Sequence, residues 1–277
     1  MASEFVSGTF QSGMVLTGIA IVAGIAFLCC LASLVVGDPY KVSMDERLSP
    51  PSLKHPFGTD QLGRDMLSRV LHGGRVSLVI AATISLLSMC IGSLIGAVSG
   101  YFGGVVDDAI GRIIDVFMSI PEIVLNIAMV GVFCAAYGAS TLIVIAAVVF
   151  TNWVGYARVM RGMVLSLKER EFVLCARAIG AGDWYILFRH VIPNAASPLV
   201  VLATLNVGNV IMTIASLGFL GLGIQPPTPE WGQILNSGKN YITTAPWITF
   251  FPGLFIALSV FGFNLLGEGL NAKHAEG

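Results

Sequence analysis

The chain has 277 residues, of which 55% are hydrophobic and 11% charged, and its mean hydropathy is +0.83. A soluble domain carries about a quarter charged residues, so an ordinary water-soluble globule is excluded. The net charge of -1 gives no bulk attraction to nucleic acid or acidic lipid.

Met14 to Val36 comes first, 23 residues without a charge. That is long enough to span a bilayer with some tilt. The alternative, a signal peptide, has a shorter apolar region after a basic start. No Lys or Arg precedes this run, which favours a retained span. Gly37 to Arg75 is polar, and Pro39, Pro50, Pro51 and Pro56 forbid one helix through its first half. From Thr59 the pattern turns helical. Thr59 or Asp60 caps, Leu62, Met66 and Val70 share a face, and Asp65 and Arg69 are spaced for an ion pair. This predicts a short helix on the membrane surface, with an ordinary loop helix as the alternative.

The second span runs roughly from Val76 to Tyr101, with Gly92, Gly96 and Gly100 spaced for close helix packing. A charged turn with Asp107, Asp108, Arg112 and Asp115 precedes the third, roughly Val116 to Tyr137. Inside it, Glu122 and Asn126 sit one helical turn apart. An ionisable residue at that depth marks a candidate translocation pathway; nearer the interface it simply reaches water. The fourth span, Ser140 to Tyr156, ends with Trp153 and Tyr156, read as interfacial anchors.

A charged stretch follows, REFVLCARAIGAGDWYILFRHVIPN from Arg170 to Asn194. Glu171 to Ile179 predicts a helix with Phe172, Ala176 and Ile179 on one stripe, ended by Gly180 and Gly182. Asp183 is placed to cap a second helix carrying Trp184, Leu187, Phe188 and Val191, and Pro193 marks entry into the next span. The result is an amphipathic knuckle that either docks in a groove on a partner or lies on lipid. The fifth span runs roughly from Ala196 to Ile224. The loop QPPTPEWGQILNSGKNYITTAPW separates it from the sixth, Ile248 to Leu266, and a short polar tail follows.

Six spans place both termini on one side. Lys and Arg counts barely orient them: of the 15, eight fall on the knuckle's side and seven on the other. The five cysteines show no CxxC, and the four histidines form no ligand pair, so no metal site is expected. No G-x-x-x-x-G-K-[ST] occurs, so an energy source must be another subunit. Neither GxSxG nor a paired His/Glu metal motif is present, and no enzymatic activity or catalytic residue is expected. A self-sufficient secondary transporter or channel is the rival class. It needs intramembrane carboxylates and often inverted repeats. Only Glu122 and Glu268 qualify, and the halves do not match.

The knuckle resembles the cytoplasmic loop of binding-protein-dependent ABC transporter permeases. Their pattern is E-A-A, three residues, G, nine residues, then I-x-L-P. Ala176, Gly180 and Pro193 fall in register, whereas Leu174, Cys175, His190 and Ile192 depart from it. HPFGTDQLGRDMLSRVLHGGRVSL, EFVLCARAIGA and FLGLGIQPPTPEWG are similar to the second, C-type permease subunit of the dipeptide/oligopeptide/nickel subfamily, as is the closing NLLGEGL. The resemblance covers residues 14 to 270.

It implies an all-α integral membrane protein with six transmembrane helices, a type I ABC importer transmembrane domain with a cytoplasmic coupling helix. Residues 1–73 would hold the first span and an extracytoplasmic segment. Residues 74–267 would form the permease core, with the coupling loop at 158–195, and 268–277 a cytoplasmic tail. The implied coupling residues are Glu171, Ala176, Arg177, Ala178, Gly180 and Pro193. Pro226, Pro227, Pro229 and Trp231 would meet an extracytoplasmic binding protein. The implied partners are a homologous second permease subunit and two cytosolic ABC ATPase subunits, which would bind ATP and magnesium; this chain would hold no cofactor. The location would be a bacterial inner membrane with both termini cytoplasmic. The implied cargo is a di- or oligopeptide, with nickel or a metal chelate as the alternative.

Overall fold

The computed structural model describes residues 2–275, and no β-strand forms among them. The first helix, α1 (Ala2–Cys30), is followed by a single turn, α2 (Ala32–Val35). Then come α3 (Met66–Phe102), α4 (Gly104–Met118), α5 (Glu122–Tyr137) and α6 (Thr141–Leu167). Two short helices, α7 (Glu171–Ala178) and α8 (Asp183–Ile186), lead into α9 (Ile192–Phe219), α10 (Trp231–Gly238) and α11 (Trp247–Ala275). Of these, α1, α3, α6, α9 and α11 are long and apolar enough to span a bilayer. The sixth crossing is a broken pair, α4 and α5, bent by 96°. Its cause is local: Pro121 offers no N–H and drives Ile120 away from helical backbone.

Helices α3 and α6 run parallel in direct contact. A Cβ on Gly92 would lie 2.2 Å from the Trp153 carbonyl oxygen, one on Gly96 2.2 Å from that of Ala157, and one on Gly100 2.8 Å from that of Arg161. The three glycines therefore do what their spacing predicts. Two parallel spans require the chain to return between them, and α4 and α5 make that return. With 16 residues α5 is about 24 Å long. That is somewhat short of the ~30 Å hydrocarbon core, and α4, nearly perpendicular to it, leads into it from the end of α3. Antiparallel packing of α1 on α11, with Gly18 against Gly262 and Leu266, brings the start of α1 to the end of α11.

Several boundaries differ from the sequence expectation. No separate surface helix forms over 59–75; α3 begins at Met66 and runs on as the second span, so a division at residue 73 falls inside one helix. The reason is Asp60. Its Oδ1 accepts from the Leu62 and Arg64 amides and closes a turn that delays the helix. Asp65 is the actual cap, accepting from the Ser68 amide at 2.7 Å and pairing with His55 at 2.8 Å. Arg69 turns instead toward Asp60, at 3.5 Å, and Gln233. The charged turn at 107–115 is helical and forms α4. Trp153 and Tyr156 are not interfacial anchors: α6 continues to Leu167, and both side chains are buried. Helix α11 continues through Ala275, so the tail from 268 is helical as far as the structure describes it.

Candidate functional site

The knuckle is built on α7. Glu171 lies in its first turn, where a carboxylate suits the positive helix end. The far end closes as a Schellman turn. The Ala181 amide donates to the Ala176 carbonyl at 3.1 Å and the Gly180 amide to that of Arg177 at 3.0 Å. Gly180 takes φ +83°, and open space surrounds its missing Cβ. Within this chain its requirement is therefore backbone geometry alone, since a side chain is strained at that φ.

Few anchors fix the knuckle to the bundle. Val173, Ile186, Leu187 and Val191 are fully buried, and Ala176 nearly so. The inward face of α7 is thus Val173 and Ala176, not the expected stripe: Phe172 is 40% exposed and Ile179 86%. In the second half Leu187 and Val191 point in, while Trp184, Tyr185 and Phe188 are more than half exposed. Polar tethers add direction. Tyr101 donates its hydroxyl to Asp183 at 2.9 Å, Arg177 donates to the Tyr101 oxygen at 3.4 Å, and Lys168 donates to the Gly100 carbonyl at 3.0 Å. Asp183 is the first residue of α8 rather than its cap, which is Gly182. Pro193 stands at the entry to the next span, as expected, and the helix runs through it without interruption. A π-helical turn, Leu187–Val191, joins α8 to α9, and the proline sits in the first turn of α9 where a missing N–H is tolerated.

A second feature lies within the spans. A cleft of ≈ 380 Å³ opens beside the α4–α5 break, against α6 and α9. Glu122 lines it and is exposed, but Asn126 is fully buried behind it. The Asn126 carbonyl accepts from Thr151 Oγ1 at 2.5 Å, and among the described residues its amide nitrogen has no partner. Sequence reasoning passed over the cleft's other polar groups. Asn206 donates to Asn152 Oδ1 at 2.7 Å and to the Tyr156 hydroxyl at 3.0 Å. Both asparagines stand inside apolar runs, and that was the available signal.

The opposite end of the bundle is built around fully buried side chains. Of the four residues expected to meet a binding protein, Pro226 and Pro227 are exposed, whereas Pro229 and Trp231 are buried. Trp231 is 0% exposed, with its indole N–H on the Val70 carbonyl at 2.9 Å and its ring against Gly74, so it serves as core. Glu230 caps α10, accepting from the Gly232 and Gln233 amides and the Ser77 hydroxyl, each at 2.9 Å. Burial pushes its carboxyl above the ordinary value, against those three bonds, which favour the anion.

Residues 92–275, which include the knuckle and the cleft, match the model of the binding-protein-dependent transport system inner membrane component family. The dipeptide transport system permease protein of Alkalihalophilus pseudofirmus is 37% identical over 261 residues, covering 94% of this chain and 84% of the relative. This chain belongs to that family. The nickel transport system permease protein of Escherichia coli K12 is 41% identical over 84% of this chain and 83% of its own. The oligopeptide transport system permease protein of Bacillus subtilis is 40% identical over 80% of this chain and 71% of its own. Among solved structures, an inward-facing MetNI methionine ABC transporter chain superposes with a TM-score of 0.59 at 20% identity, over 73% of this chain and 94% of that one. The shared fold is that of an importer transmembrane domain. The family's inner membrane components are transport subunits, in keeping with a multi-pass membrane protein.

Proposed function

We propose that this chain forms half of the pore of an ATP-driven importer, and that the knuckle is its coupling element. In this reading the helix α7, the Gly180 turn and α8 seat in a cleft on a cytosolic ATPase subunit. Two such ATPases bind ATP and magnesium, and a second, homologous permease completes the pore. Both termini then lie in the cytoplasm of a bacterial cell, and the Pro226–Pro227 loop faces an extracytoplasmic binding protein. The observation that carries the reading is the exposure of Ile179, Trp184, Tyr185 and Phe188 on a knuckle braced against the bundle. Apolar exposure of that kind is the signature of a partner surface.

Glu122, Asn152 and Asn206 are then pathway residues. Their polar groups gather in one cleft of an apolar bundle, and such groups face a water-filled route or a partner rather than lipid. Asn126 supports them from behind. The cargo is a di- or oligopeptide. Nickel or a metal chelate is the second reading, because the nickel relative is as similar to this chain as the peptide relatives are. The test is purification from membranes. A second permease and two ATPases should copurify, with ATP hydrolysis stimulated by the loaded binding protein. Transport by this chain alone in liposomes would contradict the reading.

A further inference from the structure

At the end opposite the knuckle, a pocket of ≈ 370 Å³ opens between the turn that precedes α3 and the segment after α9. Gln61, Arg64, Gln225, Gln233 and Asn236 line it. Arg64, which lines it, belongs to a buried charge cluster behind the pocket wall. Two guanidiniums, Arg64 and Arg69, share one carboxylate, Asp60, whose Oδ2 lies 2.7 Å from Arg64 Nε and 3.5 Å from Arg69 Nε; all three residues are buried. The next buried carboxylate, Glu230, is occupied by the start of α10 and by Ser77. Arg64 gives only Nε to Asp60, and among the described residues its two Nη groups donate to nothing.

The surrounding amides complement that fork. Gln225 donates its nitrogen to the Gly221 and Gly223 carbonyls, and Asn236 donates its own to those of Gly218 and Phe219. The side-chain carbonyls of both are thereby fixed in orientation, and among the described residues neither accepts a hydrogen bond. The Gln61 carbonyl oxygen is buried, and among the described residues it too has no donor. A cationic fork beside one buried and two solvent-accessible acceptors matches a ligand that joins an anion to an N–H. A carboxylate pairs with two guanidinium N–H groups at once. The C-terminal residue of a peptide supplies that carboxylate and an amide N–H next to it.

We propose that this pocket holds the C-terminal carboxylate of a short cargo peptide, gripped by Arg64, with the last amide N–H donated to the side-chain carbonyls around it. This rests on the importer reading above and adds to it an entry site and the group of the cargo that is held there. The occupant competing with cargo is an acidic side chain of the binding protein.

The probe is N-acetyl-alanyl-alanine, titrated without binding protein onto the assembled complex in nanodiscs, beside its C-terminal amide. Saturable binding of the acid is expected, with the amide weaker by about tenfold, the loss of one charged contact. Leu62 stands on the pocket wall and is partly exposed, and it holds Asp60 only through its backbone amide. Leu62→Glu should weaken the acid and Leu62→Lys should tighten it, with the Asp60–Arg64 pair intact in both. Equal binding of acid and amide overturns the proposal, as does indifference to both substitutions. Loss of binding-protein docking in Leu62→Glu with no peptide present, in a complex that does not bind the probe, also overturns it and assigns the fork to the protein partner. A complex that assembles and couples ATP hydrolysis yet fails these tests leaves the importer reading standing.

Discussion

At the knuckle end, aromatic bulk points outward: Trp184, Tyr185 and Phe188 are exposed, and the anchors are a handful of aliphatic side chains. At the other end, Trp231 is fully enclosed, and Asp60, Arg69 and Glu230 are buried with it. Both ends face water in the importer reading, so solvent alone does not explain the difference. Buried charge demands specific partners, and the Trp231 end supplies them from segments far apart in sequence, which locks those segments together. The knuckle spends its apolar surface outward, which is retained where another protein covers it. One end is scaffold and the other is contact surface.

The largest effect should follow from breaking the scaffold. Trp231→Ala removes a fully buried indole and is expected to cost about 3–5 kcal/mol, with the chain lost from membranes and the thermal midpoint lowered. Normal accumulation would show that this end does not hold the fold. Gly180→Trp acts on the contact surface. A bulky side chain at φ +83° distorts the turn, so uptake should disappear while membrane levels stay near wild type, and the ATPases should stop responding to loaded binding protein. Full uptake by that variant would refute docking.

Trp184→Ala sharpens the contrast with Trp231. The residue is 56% exposed, so stability should change by roughly 1 kcal/mol or less. Stimulated ATP hydrolysis should nevertheless fall, since interface aromatics carry a large share of binding energy. Unfolding comparable to Trp231→Ala would erase the distinction between the two ends. The smallest effect is expected at Glu122→Gln, a change in uptake KM with the protein level unaltered. Unchanged uptake kinetics would make Glu122 an interfacial residue that merely reaches water.

The spans were legible because an apolar run in lipid has few options other than a helix. Gly180 and the Gly92, Gly96 and Gly100 series were legible because the constraint, a left-handed turn or a backbone approach, falls on the glycine itself. What escaped was set by tertiary partners. The Thr59–Asp65 stretch has a helical pattern, yet Asp60 binds two local amides and two arginines, and α3 starts only at Met66. Trp153 and Tyr156 fit the composition of a membrane interface, but the close approach of α3 encloses them. The third span reads as one run of apolar residues; only the geometry shows that it is bent at Pro121 and opens a cleft there. Asn152 and Asn206, 54 positions apart, meet only once α6 and α9 are packed.

Accessibility of the knuckle's most exposed apolar residue, Ile179, tests the central claim most directly. Ile179→Cys in a chain without its native cysteines should resist a membrane-impermeant maleimide in intact cells and form a cross-link to an ATPase subunit in isolated membranes. Labelling from outside the cell, with no cross-link to any ATPase, would contradict the assignment of the knuckle as the coupling element.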